Sequence, residues 1–168
     1  RHPGAGGEGQ VTMTAAENRA RLRALAAPAF LLGGAYVSQY GFGLDPCEMC
    51  GWQRYPHFAA LAFDALAFVW PSRKLVWLAG LAVLISGLIG AFHAGVEYGW
   101  WEGITTCSST VTPGSGKDVL DAILNAPLIR CDVAPWTLFG ISLAGYNFLI
   151  STLGALAILA LLSKGGKA

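Results

Sequence analysis

Apolar residues run almost unbroken through four stretches of the chain. These are 25–43 (LAAPAFLLGGAYVSQYGFG), 53–70 (QRYPHFAALAFDALAFVW), 75–96 (LVWLAGLAVLISGLIGAFHAGV) and 136–162 (WTLFGISLAGYNFLISTLGALAILALL). Each approaches the roughly 20 residues that a helix needs to cross about 30 Å of hydrocarbon. A closed strand barrel would show shorter, alternating segments. The pattern therefore predicts an all-α membrane protein built as a four-transmembrane-helix bundle. In the polar stretch between the last two spans, Val119, Leu120, Ile123, Leu124 and Leu128 fall at helical spacing. They predict a short interfacial helix lying flat on the membrane, with Ser115 and Asp118 placed to cap its start. Residues 1–24 are expected to form a flexible cytoplasmic N-terminal tail and 163–168 a C-terminal tail, flanking a domain over 25–162. The small-residue cluster ALAAPA stands at the start of the first apolar stretch, whereas a signal cleavage site follows one.

Composition agrees with a membrane. The 168 residues are 54% hydrophobic and 12% charged, against about 25% charged in a typical soluble domain. The net charge of +1 gives no reason to expect a nucleic-acid partner. The distribution of charge says more than its sum. Arg1, Arg19, Arg21, Arg23, Arg73, Lys74, Lys164 and Lys167, eight of the eleven basic residues, flank the spans on one side. By the positive-inside rule that side is cytoplasmic, with both termini. The stretches 44–52 and 97–135 then face outward, and they hold seven of the ten acids. Trp100, Trp101 and Trp136 suit the outer interface, Trp70 and Trp77 the inner one.

All four cysteines, Cys47, Cys50, Cys107 and Cys131, fall in the two outward loops. An oxidising compartment is where disulfides persist. Four cysteines allow three pairings; Cys47–Cys50 with Cys107–Cys131 keeps each pair in its own loop. A structural zinc site would want a second close pair, yet Cys107 and Cys131 stand 24 positions apart. A c-type haem would need His after Cys50, where Gly51 stands. A disulfide closing so small a loop restrains the unfolded chain little. Cysteines in a two-residue-spaced pair often have a lowered pKa, which supplies thiolate for exchange. A working redox couple is the expectation, with no metal. Cys107 lies in TTCSSTVTPGSG, within reach of a partner, and the interfacial helix either covers the bundle or carries Cys131 back toward Cys47.

Arg54 stands four positions after Cys50, about one turn into the second span. A cation there would stabilise a thiolate and an anionic oxygen of a bound acceptor. Its plainer roles are snorkelling or an ion pair with Glu97. His57 is three residues further on the same face; His93 and Glu97 occupy the outer end of the third span. Either histidine could pass protons to a reduced acceptor, or simply satisfy a hydrogen bond. Asp64 sits deep in the second span with no cation expected at its depth; it is expected to be buried between helices, protonated or hydrogen-bonded, and is assigned no chemistry. Ser86 with Gly90, Gly87 with Ala91, and Gly140 with Ala144 have the spacing that lets the third and fourth spans approach.

The segments PCEMCGWQR, HAGVEYGWWEGITTC and RCDVAPWTLFGISLAGYN, in this order, resemble the disulfide-bond formation protein B (DsbB) family of bacterial inner membranes. The resemblance covers roughly residues 25–162. Vitamin K epoxide reductases are similar in chemistry, but their close cysteine pair follows the loop pair. The resemblance implies an inner-membrane oxidase that recharges a periplasmic DsbA-like thioredoxin-fold thiol oxidant. It implies that electrons pass to a quinone, ubiquinone or menaquinone, of the membrane pool. It further implies that Cys107 forms the mixed disulfide with the partner, that Cys131 exchanges with Cys47, and that Cys50 faces the quinone ring. Arg54 lies beside the quinone on this reading, and His57, His93 and Glu97 are further candidates for that site. Two rivals remain at this point: a non-catalytic subunit of a membrane complex whose disulfides stiffen its loops, and a quinone-binding relative with a dedicated substrate.

Overall fold

A computed structural model of the protein describes residues 13–105 and 129–165. Helix α1 spans Ala15–Phe42, α2 Glu48–Val69, α3 Arg73–Glu97 and α4 Leu143–Gly165; two two-residue strands, β1 (Thr137–Leu138) and β2 (Ile141–Ser142), precede α4. The helices pack as a bundle in which α3 lies along both α2 and α4, and α1 closes against α4 and α2.

Helix α1 starts ten residues before the expected span. Thr14 and Glu17 form a reciprocal capping box, which satisfies two otherwise orphaned N–H groups. The face presented by Ala20 and Ala24 is fully buried in the main core. The 28 residues of α1 reach about 42 Å at 1.5 Å per residue, more than a bilayer core requires. The helix ends where Gly43 adopts φ 66°, a left-handed cap that a side chain would disfavour.

The basic ends of the helices converge. Glu17 of α1 pairs with Arg73 of α3 at 3.8 Å. Arg73 donates to the carbonyl of Leu162 in α4 at 2.6 Å, and Arg21 to that of Ala67 in α2 at 3.2 Å. The charge asymmetry of the sequence is therefore a physical end of the bundle, and the described cysteines sit at the other. Asp64 is fully buried with no hydrogen-bond partner for either oxygen among the described residues. Arg21 is the cation whose charge reaches it, so a positive group does stand near that depth.

Small residues set how closely α3 and α4 approach. A Cβ on Gly87 would lie 2.9 Å from the Thr152 hydroxyl, and one on Gly90 3.0 Å from the Ala144 carbonyl oxygen. The expected close approach is present, but Gly140 has no part in it. Residues 137–142 form an antiparallel hairpin, with Leu138 paired to Ile141, before α4 begins. Phe139 (φ 52°) and Gly140 (φ 77°) make its turn, and two positive φ angles are what a tight hairpin turn of this kind demands.

Among the described residues, two helices, α3 and α4, are long and apolar enough to cross a membrane. Only 22% of the most apolar stretch of α4 is buried within the protein, so its outer surface needs apolar surroundings. The predicted interfacial helix lies outside the described residues.

Candidate active site

The chain leaves α1 at Gly43 and re-enters helix at Cys47. Cys47 is the N-cap of α2, with extended backbone (φ −73°, ψ 173°), and its sulfur accepts the Cys50 backbone N–H at 3.4 Å. A cysteine takes the place usually held by a serine or aspartate oxygen at a helix start. The two-residue spacer puts Cys50 in the first turn, and the Cys47 thiol donates to the Cys50 sulfur across 3.1 Å. The described cysteines are free thiols.

This contact divides the pair. Cys50 is lowered below the usual thiol value, chiefly by the hydrogen bond from Cys47, against the opposing effect of burial. Cys47 is pushed up to about 12, first because it holds the shared proton for Cys50 and then because it is buried, with His93 opposing. Cys50 is the sulfur that ionises.

The segment just before β1 comes to the same place. Cys131 and Ile129 pack with Cys47, Met49 and Val96 in a small cluster apart from the main core. The sulfurs of Cys47 and Cys131 and a His93 ring nitrogen all lie within 4.8 Å of one another. These three donors also suit a soft metal ion, although they fall one short of a closed zinc site. Cys131 is raised, first by burial, with the Thr105 hydroxyl and the Met49 backbone opposing. Beside it, exposed Arg130 and Asp132 form an ion pair. Cys107 lies outside the described residues.

His93, 1% exposed, has Nε2 3.5 Å from the Cys47 sulfur and Nδ1 2.8 Å from the Gln53 amide nitrogen. Glu97 lies 3.8 Å from His93 Nε2 and accepts the Ser142 hydroxyl. His93 thus belongs to the Cys47 side of the site, while the charge of Glu97 reaches Cys50. Trp101 roofs this end of α3: its indole N–H donates to the Phe92 carbonyl at 2.9 Å. A Cβ on Gly95 would stand 2.0 Å from that ring.

Cys50 faces the other way, into a cavity of about 330 Å³ between α1, α2, α4 and the segment around Trp136. Arg54 and His57 line it with Cys50, as do Gln53 and Asn147; His93 and Glu97 do not. Phe30, Leu31, Leu143 and Ile150 make much of the remaining wall. Arg54 is held in place by Gln39, whose side-chain oxygen accepts one N–H at 2.8 Å, and by the Tyr36 ring 4.9 Å below its guanidinium. It does not pair with Glu97. His57 Nε2 lies 3.0 Å from the Asn147 oxygen and 2.9 Å from the Ser86 hydroxyl.

Two residues not foreseen join these halves. Gln53 and Asn147 bond to each other at 2.8 Å, linking His93 on one side to His57 on the other. Each is a lone amide in an apolar run. Polar residues inside a span usually find partners or mark function, and that was the available signal.

Comparison with known proteins gives the family. The family model for disulfide bond formation protein DsbB matches residues 17–161. The chain belongs to the DsbB family. Among curated relatives, it is 31% identical over 155 residues to "Disulfide bond formation protein B" of Acidovorax sp. (strain JS42), covering 83% of each chain. It is 32% identical over 158 residues to the protein of the same name from Polaromonas sp. (strain JS666 / ATCC BAA-500), covering 85% of this chain and 88% of the other. It is also 24% identical over 125 residues to "Uncharacterized protein RP370" of Rickettsia prowazekii (strain Madrid E). No solved structure matches. The DsbB match begins at residue 17 rather than 25, in keeping with the early start of α1, and identifies this chain as a membrane protein of disulfide bond formation.

Proposed function

We propose that the protein is an inner-membrane disulfide oxidase that reoxidises a periplasmic DsbA-like thiol oxidant and delivers the electrons to a membrane quinone. The observation that carries this reading is the split environment of one cysteine pair. Cys47 lies beside Cys131, and Cys50 lies on the wall of an apolar cavity with Arg54.

The thiol chemistry follows from these positions. A reduced partner attacks the Cys107–Cys131 disulfide, freeing Cys131, which attacks the Cys47 sulfur. The Cys47–Cys50 bond breaks and Cys50 leaves as the thiolate. A lower leaving-group pKa speeds exchange, and Cys50 has the lowered one.

The cavity fits a flat apolar acceptor with carbonyl oxygens. Its walls are mostly hydrocarbon, and Arg54, anchored by Gln39 and Tyr36, keeps N–H groups for an oxygen. A quinone bound there supplies a two-electron, two-proton sink. Arg54 would orient it and would stabilise negative charge on its oxygen. His57, tethered by Asn147 and Ser86, holds a proton near the same wall. The apolar lining keeps water from the Cys50 sulfur.

The basic residues gathered at one end of the bundle support a reading of four spans with both termini cytoplasmic and the cysteine loops periplasmic. Helices α1 and α2 are less apolar than α3 and α4, because α2 carries the site's polar groups and α1 extends past the membrane. Quinone-dependent oxidation of a reduced thioredoxin-fold protein tests the proposal: Cys47→Ser and Cys50→Ser each abolish it. Unchanged turnover in either variant would return the protein to a scaffold with structural disulfides.

A further inference from the structure

The sulfur of Cys47 belongs to a residue only 6% exposed, so little water is available to solvate a charge on it. Two nitrogens face it instead: the Cys50 backbone N–H at 3.4 Å and the His93 ring Nε2 at 3.5 Å. Whether the ring nitrogen carries the proton is decided one residue away. Gln53 Nε2 lies 2.8 Å from His93 Nδ1, and an amide nitrogen can only donate. The orientation of this amide is fixed twice more. Its nitrogen donates to the Met49 carbonyl at 3.2 Å, and its oxygen accepts from Asn147 Nδ2 at 2.8 Å.

Asn147 is fixed in turn. Its nitrogen donates to the Ser86 carbonyl at 3.2 Å, and its oxygen accepts the Ser151 hydroxyl at 2.9 Å. Turning Gln53 over would set donor against donor at Asn147 and acceptor against acceptor at Met49. Nδ1 of His93 therefore accepts, and the proton of the neutral ring sits on Nε2, toward Cys47. Glu97 is 3.8 Å from that nitrogen, beyond hydrogen-bond length for an oxygen.

We infer that His93 is a catalytic hydrogen-bond donor that stabilises negative charge on Cys47 during exchange with Cys131, and that Gln53 is the positioning residue that sets its tautomer. The inference rests on the inter-loop exchange proposed above. An attacking thiolate forms a bond to the Cys131 sulfur, the Cys47–Cys131 bond breaks, and its electron pair stays on Cys47. Charge passes from the attacker to Cys47, His93 keeps its proton, and no electron leaves the sulfurs. Cys47 has need of such a donor: its own proton is held up to about 12, and thiols of high pKa leave slowly.

The test uses the full chain in lipid nanodiscs without quinone. The Cys47–Cys131 disulfide is trapped in Cys50→Ser protein, challenged with dithiothreitol, acid-quenched at intervals and quantified by mass spectrometry. A hydrogen bond to a charged group, partly expressed in the rate, predicts about tenfold slower cleavage in His93→Ala. His93→Gln, which keeps an amide donor, recovers part of the rate, and Gln53→Leu slows cleavage by a smaller factor. In ¹⁵N-histidine-labelled protein, the resonance lost in His93→Gln reports an Nε2-protonated ring, and Gln53→Leu removes that preference.

Cleavage of folded His93→Ala at the parent rate, or a ring protonated on Nδ1 in the parent protein, overturns the inference. So does a raised quinone KM in otherwise wild-type protein carrying His93→Ala, with cleavage unaffected. If His93→Ala does not fold, the parent tautomer and the Gln53→Leu rate decide. A protein that never reduces quinone but shows the predicted cleavage rates loses the acceptor reading and keeps this one.

Discussion

Replacing Arg54 by Met separates acceptor binding from thiol exchange. The guanidinium lies on the cavity wall and is already oriented by Gln39 at 2.8 Å and by the face of Tyr36. It therefore reaches an oxygen in the cavity with little further loss of side-chain freedom. A hydrogen bond from a charged donor contributes about 1.5–3 kcal/mol, which is about tenfold to a hundredfold in affinity. Methionine keeps the length and apolar stem but donates nothing. The cost to stability is smaller, about 1 kcal/mol for a partly buried Gln39 left without its donor. The assay follows quinone reduction by absorbance at saturating reduced partner while quinone is varied, with exchange at Cys131 measured separately without quinone. The apparent quinone KM should rise by about tenfold or more while exchange holds its rate. A KM within twofold of the parent, or an equal loss in both steps, would refute the assignment of Arg54 to the acceptor.

The division of the cysteine pair predicts a pH response. Cys50 ionises below the ordinary thiol value while Cys47 stays protonated up to about 12. As pH rises, one reactive thiolate of the pair should therefore appear first, at Cys50 and below the ordinary thiol value. Cys47→Ala removes the donor that lowers Cys50, so the midpoint for its alkylation should move to higher pH; an unmoved midpoint contradicts the shared-proton arrangement. Gly95→Leu should unseat Trp101, whose ring occupies the place of the new Cβ. Overpacking of this kind costs about 1–3 kcal/mol, and a thermal melt matching the parent would show that the Trp101 roof bears no weight.

Much of the site was legible because the relevant signals are local or additive. Hydrocarbon runs, basic flanks and a two-residue cysteine spacing do not depend on which helix touches which. They placed the described cysteines together at one end and Arg54 with His57 on one face of α2, and both residues line the cavity with Cys50. What depends on lateral register was not legible. His93 and Glu97 read as candidate acceptor contacts beside Arg54; α3 sets His93 Nε2 3.5 Å from the Cys47 sulfur, and neither residue lines the cavity. Gln53 and Asn147 look like minor polar interruptions until α2, α3 and α4 align them.

Local chemistry was also outvoted by composition in two places. TLFGIS reads as apolar and was absorbed into a helical span, although Phe139 and Gly140 turn the chain back on itself. The TAAE start of α1 carries its capping box in plain view, but the charges that follow made 1–24 look like tail. The small alanines at 20 and 24 bury that face in the core.

The central claim is that the two sulfur couples and the cavity form one electron path. Counting thiols in the purified, fully reduced membrane protein before and after quinone addition tests it most directly. The account predicts that one disulfide's worth of thiols disappears for each quinone reduced, and that Cys50→Ser blocks the loss. A thiol count that quinone leaves unchanged, or a loss that persists in Cys50→Ser, would contradict it.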